Sequence, residues 1–457
     1  MRGEQLKLDF GISDTVVSHG ELHDDLRVAE TGMAQTGNEN LAEEEKLMEK
    51  ICERENMIAA MKHVQQNKGS CGVDGMKVDQ LHKYLQVHWP KLRKELLEGT
   101  YKPQVVKAVE IGKSGGGKRR LGIPVVVDRM VEQAILQQVG PLWEPTFSKD
   151  SYAFMRGRNQ HQAVRKAKSY IMEGYTWCVD IDLSKFFDRI NHDRLMYRLA
   201  IIIKDKRLLK LIGGFLRAGM LVDGVVVSTE QGTPQGSPLS PLLSNIVLDE
   251  LDKELEHRGL RFVRYADDCN IYVKSKRAAE RVMKSIRKFI TGKLKLKVND
   301  EKSAVDRPWN RKFLGFTFRD EEQHRSCVSP KSIKEFKRRV VELTGRSSGR
   351  SVNQTIDELS TYLRGWFSYY GRCEFRNQFK DLDSWIRRRI RAIFWKQWKT
   401  PKRRLSELLA RGVKYELAKN TSGSGKGPWA ISRSNALSYA FPNAYFRASG
   451  LFFLNLF

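Results

Sequence analysis

Two adjacent aspartates stand where a pair of carboxylates could bind metal ions. Asp267 and Asp268 follow Arg-Tyr-Ala and lie between two runs rich in β-branched and aromatic residues. This pattern predicts a hairpin with both carboxylates at its tip. Ionised neighbours repel each other, and a site that keeps both charged usually supplies divalent cations. With a third carboxylate from a neighbouring strand, such a tip could hold two metal ions for phosphoryl transfer, whereas an Asp-Asp dipeptide by itself more often only makes a turn.

A third carboxylate is available from Asp180 or Asp182. Apolar residues alternate with polar ones over residues 179–184, in the order Val, Asp, Ile, Asp, Leu, Ser. On a strand, both aspartates lie on the face opposite the apolar set. The spacing alone does not choose between them.

Two hairpins and several helices have to position these carboxylates. Two short apolar runs predict a hairpin over residues 105–124, with three glycines (115–117) at the turn that they flank. Helical spacing predicts helices over residues 53–66 and 242–255, the second directly after the loop of residues 233–238. From residue 332 to 398, strand patterns give way to basic amphipathic helices. The predicted fold class is α+β, a mixed body followed by a helical basic region.

The charge of the chain indicates a polyanionic partner. The 457 residues carry a formal net charge of +27, and the sequence pI is about 9.8. Such an excess of Lys and Arg opposes compaction, and binding nucleic acid is its simplest use. A solvated basic surface and an anionic membrane are the alternatives, but the sequence contains no basic amphipathic anchor and no apolar run of spanning length. We expect nucleic-acid binding, no membrane partner and a cytoplasmic location.

The cysteines and the N-terminal segment add two expectations. The six cysteines stand singly, without zinc-ligand spacing, so reduced thiols are expected. Residues 1–50 contain twelve acidic and five basic residues, which predicts a separate acidic N-terminal extension.

Four blocks in order resemble the successive motifs of reverse transcriptases, and more closely those of the enzymes encoded by bacterial group II introns. The blocks are DLSKFFD (182–188), QGTPQGSPLSP, RYADD and KFLGF (312–316), with NKGSCGVDGM and RRLGIPVVVDRMVEQAIL before them. The segment YLRGWFSYY (362–370) resembles the thumb, or maturase, region of these enzymes. The last stretch resembles the DNA-binding tail of the class C intron proteins, which have no endonuclease domain.

The resemblance implies a right-hand polymerase, with fingers and palm built on an antiparallel sheet. Its domains would be the extension (1–50), fingers and palm (51–320), a helical thumb or domain X (321–400) and a basic DNA-binding tail (401–457). The activity would be RNA-directed DNA polymerase, with two Mg²⁺ ions and dNTP substrates. The partners would be the group II intron RNA, which the protein helps to splice, an RNA template with a DNA or RNA primer, and target DNA during retrohoming.

Roles for single residues also follow from the resemblance. It selects Asp182 over Asp180, so that Asp182, Asp267 and Asp268 would form the catalytic, metal-binding triad. Phe187 would be a gate that excludes a ribose 2′-hydroxyl. Further nucleotide contacts would come from Lys113, Arg119, Gln235 and Gly236, and the primer grip would include Phe313, Leu314 and Gly315.

One stretch departs from the family pattern. Where the family has a Gly-Phe-Arg-Pro-like sequence, this chain reads YAFMRGR (152–158). Met155 and Arg156 occupy the usual Arg and Pro positions, so a template contact made by that Arg would have to come from Arg156 or Arg158.

Two other hypotheses stay open at this point. The chain could be an RNA-binding splicing factor with a relic polymerase site, or a related reverse transcriptase recruited to defence or diversity generation. The intact triad argues against the first, and the long basic helical region after residue 328 argues against the second.

Overall fold

The computed structural model describes residues 46–112, 118–222, 224–228, 230–346 and 349–455. The chain forms two compact units. Unit 1 comprises residues 1–163 and 179–305, and unit 2 comprises residues 164–178 and 306–457. The predicted acidic extension (1–50) lies almost wholly outside the described residues, and the four predicted domain ranges stay a prediction.

Unit 1 combines helices with two four-stranded sheets, within the residues that the structure describes. Its helices are α1 (Leu47–Ile51), α2 (Arg54–Gln66), α3 (Leu81–Leu97), α4 (Val126–Trp143), α5 (Gln160–Met172), α6 (His192–Ile202), α7 (Lys206–Arg217), α8 (Ser240–His257) and α9 (Lys276–Gly292). Its strands are β1 (Val106–Gly112), β2 (Lys118–Ile123), β3 (Trp177–Ile181), β4 (Met220–Val222), β5 (Val225–Val227), β6 (Arg261–Tyr265), β7 (Asp268–Val273) and β8 (Ala304–Asp306). The boundary between the units passes through α5, β3 and β8.

Helix α4 lies in the core of unit 1. All residues from Val126 to Ile135 are buried, which is the pattern of a helix covered on every side. Among them, Asp128 accepts hydrogen bonds from the Tyr101 hydroxyl at 2.5 Å and the Gln104 amide at 2.8 Å. Because a buried polar group is costly without partners, these bonds make the burial of Asp128 tolerable.

Both predicted hairpins of unit 1 are confirmed. Strands β1 and β2 pair antiparallel on either side of residues 113–117, which lie outside the described residues, with Glu110 opposite Arg120, in a sheet of order β2-β1-β4-β5. Strand β1 also pairs in parallel with β4, so this sheet is mixed and not purely antiparallel. Strands β6 and β7 pair antiparallel as far as Tyr265 opposite Asp268, in a second sheet of order β6-β7-β3-β8.

Unit 2 is mainly helical, as the sequence predicts for the region after residue 328. Its described elements are the paired strands β9 (Phe316–Phe318) and β10 (Ser326–Val328), and the helices α10 (Pro330–Leu343), α11 (Val352–Tyr370), α12 (Asn377–Gln397), α13 (Pro401–Ala410), α14 (Tyr415–Ser422), α15 (Pro428–Ile431), α16 (Asn435–Ala440) and α17 (Asn443–Ala448). In α12, Ile386, Ile390 and Ile393 are buried, as expected for one of the predicted amphipathic helices. The α+β class is therefore confirmed. None of the described helices is long and apolar enough to cross a lipid bilayer.

Candidate active site

The turn between β6 and β7 carries the Asp267–Asp268 pair. Strand β6 ends at Tyr265 and β7 begins at Asp268, so the turn consists of Ala266 and Asp267. Ala266 has a φ of +55°, a left-handed conformation that costs a residue with a Cβ about 1–2 kcal/mol. Both aspartates are half-buried. The hairpin thus presents two adjacent carboxylates at the end of a buried strand pair.

Arg264 holds this turn from inside the core. Its fully buried guanidinium donates to the Ala266 carbonyl at 3.1 Å and pairs with Asp252 of α8 at 2.5 Å. Asn245, two turns earlier on α8, accepts from Arg264 at 3.1 Å and donates to the Ala153 carbonyl at 2.9 Å. Burial works to lower the pKa of Arg264, but the adjacent Asp252 carboxylate raises it overall. The network was not predicted, because it depends on a partner on a separate helix.

Asp182 follows the last residue of β3 and is fixed by the segment that precedes β8. Its amide donates to the Ser303 hydroxyl at 3.0 Å, and its carbonyl accepts from the Asn299 amide at 2.8 Å. Its carboxylate, with a side chain 32% exposed, pairs with the Lys302 ammonium at 3.2 Å. Lys302 is a charged neighbour of the proposed site that sequence reasoning missed.

Asp180, the alternative to Asp182, is buried within β3 at 8% exposure. Burial raises the pKa of the Cys269 thiol on β7, and the charges of Asp268 and Asp180 contribute to this rise. Asp180 is therefore a buried residue of the strand next to β7, whereas Asp182 follows that strand and is partly exposed.

Asp182 directly follows β3, Asp267 lies in the turn before β7 and Asp268 is the first residue of β7, which is adjacent to β3 in the sheet. They do not close into one cluster: among the described residues, no group of three or more His, Cys, Asp or Glu side chains could hold a metal ion. The Lys302 ammonium instead provides the positive charge beside Asp182. Hard divalent cations prefer carboxylate ligands. The Asp182 carboxylate already pairs with one cationic group, the Lys302 ammonium. The residue types fit a divalent metal ion, and the triad itself stays a prediction.

A cavity of about 630 Å³ in unit 1 is lined by some of the proposed nucleotide contacts. Its walls include Leu121 of β2, Phe187, Gln235 and Gly236, with Asn67 beyond α2 among the further lining residues. The Phe187 ring is half-buried, whereas the neighbouring Phe186 is a core residue at 2% exposure. Phe187 and Gln235 are therefore brought to one cavity.

The loop that carries Gln235 is attached to two other segments by main-chain bonds. Gly122 of β2 donates to the Gln235 carbonyl at 2.9 Å, and the Thr233 amide donates to the Phe187 carbonyl at 2.7 Å. Gly236 has a φ of +134°, and a Cβ there would lie 2.4 Å from the Gly122 carbonyl oxygen. Because no side chain fits at that distance, a glycine is required for the loop to pack on β2.

A buried carboxyl group of α4 supports the same loop. Glu132, at 3% exposure, accepts a hydrogen bond from the Ser237 hydroxyl at 2.7 Å. Its Oε2 has no hydrogen-bond partner among the described residues. Burial raises the pKa of Glu132 to about 8, so this side chain is mostly protonated at neutral pH.

The structure describes the predicted phosphate and template contacts only in part. Lys113 lies outside the described residues, and Arg119 lies in β2 opposite Ile111, with a side chain that is also outside them. In the stretch that departs from the family pattern, Arg158 donates to the Ser148 and Ser151 carbonyls at 2.6 Å. Arg156 is exposed, and Met155 is buried, at 8% exposure.

The proposed primer grip is a tight turn in unit 2. Phe313 and Phe316 exchange two main-chain bonds of 2.9 Å around Leu314 and Gly315, whose φ values are +51° and +84°. The Tyr369 hydroxyl of α11 donates to the Leu314 carbonyl at 2.9 Å. The turn is thus held by the helix that contains the YLRGWFSYY segment.

Comparisons with known proteins decide the family. Residues 111–318 match the model of reverse transcriptases (RNA-dependent DNA polymerases), and residues 333–409 match the group II intron maturase-specific domain. The protein YkfC of Escherichia coli K12 is 33% identical over 301 residues, which are 57% of this chain and 79% of YkfC. The chain belongs to the group II intron reverse transcriptase and maturase family.

Two other relatives of this reverse transcriptase are intron proteins by name. The group II intron-encoded protein LtrA of Lactococcus lactis subsp. cremoris is 29% identical over 326 residues, 57% of this chain and 54% of LtrA. A 91 kDa protein in the cob intron of Schizosaccharomyces pombe is 36% identical over 190 residues, 42% of this chain and 22% of that protein. This reverse transcriptase therefore spans about half the length of LtrA. Its family uses divalent metal ions and deoxynucleoside triphosphates.

Proposed function

We propose that this reverse transcriptase extends a primer on an RNA template, with Asp182, Asp267 and Asp268 as the carboxylates that hold two Mg²⁺ ions. The observation that carries the proposal is that Asp182 directly follows β3, the strand that neighbours β7 of the hairpin on which Asp267 and Asp268 lie. Bound Mg²⁺ would activate the primer 3′-hydroxyl and stabilise the leaving pyrophosphate. The carboxylates would position the ions, and Arg264 would keep the turn in place.

The cavity beside Phe187 would receive the deoxynucleotide. The Phe187 ring would occupy the space that a ribose 2′-hydroxyl needs, and the Gln235–Gly236 backbone would line the opposite wall. Lys113 and Arg119 would neutralise charge that develops on the leaving phosphates. Phe313, Leu314 and Gly315 would contact the primer. Lys302 would have to release Asp182 when metal binds, because both cations compete for one carboxylate.

The RNA partner would be the intron that encodes the protein. The maturase-specific domain and the intron-encoded relatives support binding of group II intron RNA, assistance to its splicing and its copying into target DNA. The basic helices of unit 2 supply the electrostatic attraction for an RNA backbone. A place in the cytoplasm is part of the same proposal.

Primer extension tests the proposal. On a poly(rA)–oligo(dT) template with Mg²⁺, Asp182→Ala and Asp268→Ala should abolish DNA synthesis while RNA binding stays close to wild-type. The matched control is Asp193→Ala, at an exposed aspartate of α6, which should extend the primer normally. Extension at the wild-type rate by either triad variant would refute the site assignment.

A splicing factor without polymerase chemistry is the second candidate. It is favoured by the Lys302–Asp182 ion pair, which neutralises a proposed ligand. The same assay separates the two, because such a factor would bind RNA and fail to extend a primer even as the wild-type protein.

A further inference from the structure

A small basic cavity lies within unit 2. Its volume is about 250 Å³, and it is lined by Arg346, Arg389, Ala392 and Trp429. These residues come from the segment after α10, from α12 and from α15. The space corresponds to about eight water molecules at about 30 Å³ each, which is room for a phosphate group and part of a nucleoside. Among the described residues, the lining contains two guanidinium groups and no carboxylate.

Arg389 is held in place by hydrogen bonds to neutral oxygen atoms. Its Nε donates to the Thr344 hydroxyl at 2.5 Å, and its Nη2 reaches the Val341 and Thr344 carbonyls at 3.4 Å. Burial lowers the pKa of Arg389, and the neighbouring Arg346 lowers it further. The described contacts are thus neutral oxygens, the Trp385 ring, whose centre lies 5.5 Å from the Arg389 Cζ, and a like charge, so a bound anion would relieve the repulsion.

The indole of Trp429 is also fixed. The Arg388 guanidinium stacks over its ring, with Cζ 3.6 Å from the ring centre. Arg388 also donates to the Trp429 carbonyl at 2.9 Å and to the Ser432 hydroxyl at 3.2 Å. Its charged neighbour is again an arginine, Arg433. A rigid aromatic ring therefore stands beside guanidinium groups that have no acidic partner in the described part of the chain.

We propose that this cavity binds one phosphate of a single-stranded nucleic acid and stacks the adjoining unpaired base on Trp429. Guanidinium groups match phosphate oxygens, and an indole face accepts any base. A duplex does not fit this site, because its bases are stacked on each other. The proposal deepens the proposed function, on which it rests for the choice of nucleic acid as the ligand.

Fluorescence anisotropy of the full chain tests the site. The probes are fluorescein-labelled U10, dT10, U10 with one central abasic position, and a ten-base-pair RNA duplex. Trp429→Ala should weaken U10 binding roughly 5- to 100-fold and have less effect on the abasic strand and the duplex. Arg346→Met, at an exposed position, should reduce the slope of log affinity against log salt by about 0.7, the value for one phosphate of a single strand.

The matched control is Arg403→Met, which removes an equal charge from α13, where Arg403 pairs with Glu407. It should bind all probes nearly as the wild-type protein does. Equal losses on U10 and dT10 support the shared phosphate-and-base site, and a loss on one strand type alone assigns the site to RNA or to DNA. Binding by Trp429→Ala and Arg346→Met that matches the control overturns the proposal.

Primer extension by the wild-type protein, measured in parallel, keeps the two proposals apart. If the wild-type chain does not extend a primer but the cavity variants lose strand binding, the polymerase proposal fails and the cavity assignment stands. If it extends primers and the cavity variants bind normally, the cavity assignment alone fails. A thermal melt of each variant excludes loss of the fold as the cause.

Discussion

Strained backbone conformations coincide with the proposed functional segments. Among the described residues, seven non-glycine residues have a positive φ, and five of them lie in segments named above: Lys68, Phe154, Lys185, Ala266 and Leu314. Such conformations cost about 1–3 kcal/mol each and persist only where the surroundings enforce them. At Ala266 the enforcing group is Arg264, and at Leu314 it is the Tyr369 hydroxyl. These contacts give the strain a physical cause within each segment.

At Phe187, removal of the ring should change which nucleotides the enzyme accepts. Phe187→Ala would open space for a 2′-hydroxyl, so incorporation of ribonucleotides relative to deoxynucleotides should rise roughly tenfold or more. Single-nucleotide incorporation with each dNTP and NTP measures this ratio.

Phe186→Ala serves as the contrast, since its ring is packed in the core. It should lower the free energy of unfolding by about 3–5 kcal/mol without a change in sugar selectivity. Unchanged sugar selectivity in Phe187→Ala would show that the Phe187 ring does not exclude the ribose 2′-hydroxyl.

Glu132 should make stability depend on pH. Its pKa is raised from about 4.5 unfolded to about 8 folded, so the folded state binds the extra proton between these values. The contribution of Glu132 to the free energy of unfolding is therefore fully present below pH 4.5 and is lost as the pH rises towards 8. Glu132→Gln cannot ionise, so its stability relative to wild-type should increase by about 1.4 kcal/mol per pH unit inside this window. Denaturant unfolding at pH 5.5 and 7.5 measures the difference, and parallel curves for the two proteins would contradict it.

At the scale of elements, the contact between α8 and the β6–β7 hairpin depends on one buried ion pair. Arg264→Met would leave the Asp252 carboxylate buried and unpaired, which should cost about 3–5 kcal/mol of unfolding free energy. Replacing both partners, as Arg264→Met with Asp252→Leu, should recover most of this loss.

Arg258→Met is the control for this pair. Arg258 forms a partly exposed ion pair with Glu254 on the same helix, and its loss should cost less than about 1 kcal/mol. Equal destabilisation by Arg258→Met and Arg264→Met would show that burial of the pair has no special role.

Local sequence patterns predicted the helices and strands. They did not predict contacts between residues that are far apart in the sequence. Strand-like runs on either side of a turn predicted the hairpins around residues 115–117 and 266–267, and helical spacing predicted α2 and α8. The Lys302 ion pair and the Glu132–Ser237 bond join residues more than a hundred positions apart, so no local spacing announces them. The parallel pairing of β1 with β4 was missed for the same reason. Binding of metal ions by the three aspartates stays a prediction. In the structure, the Lys302 ammonium pairs with one of them, Asp182.

At the scale of the whole molecule, the net charge of +27 should dominate nucleic-acid binding. Each phosphate contact releases condensed counterions, so the affinity for RNA should fall roughly 10³-fold or more between 50 and 200 mM salt if about six or more phosphates are contacted. Equilibrium binding of a structured RNA across this range measures the slope. A flat dependence would mean that the basic surface is only solvated.

The order of strands in the first sheet has a consequence for synthesis of the protein on the ribosome. Strand β1 and its hairpin partner leave the ribosome early, but β4 pairs with β1 about 110 residues later in the chain. At a translation rate of about 5–20 residues per second, one edge of the nascent hairpin stays unpaired on the order of ten seconds before β4 is synthesised. An unpaired edge of this kind invites association with other chains. Yield on overexpression should therefore be sensitive to translation speed between the two strands, and to chaperones that shield the waiting edge.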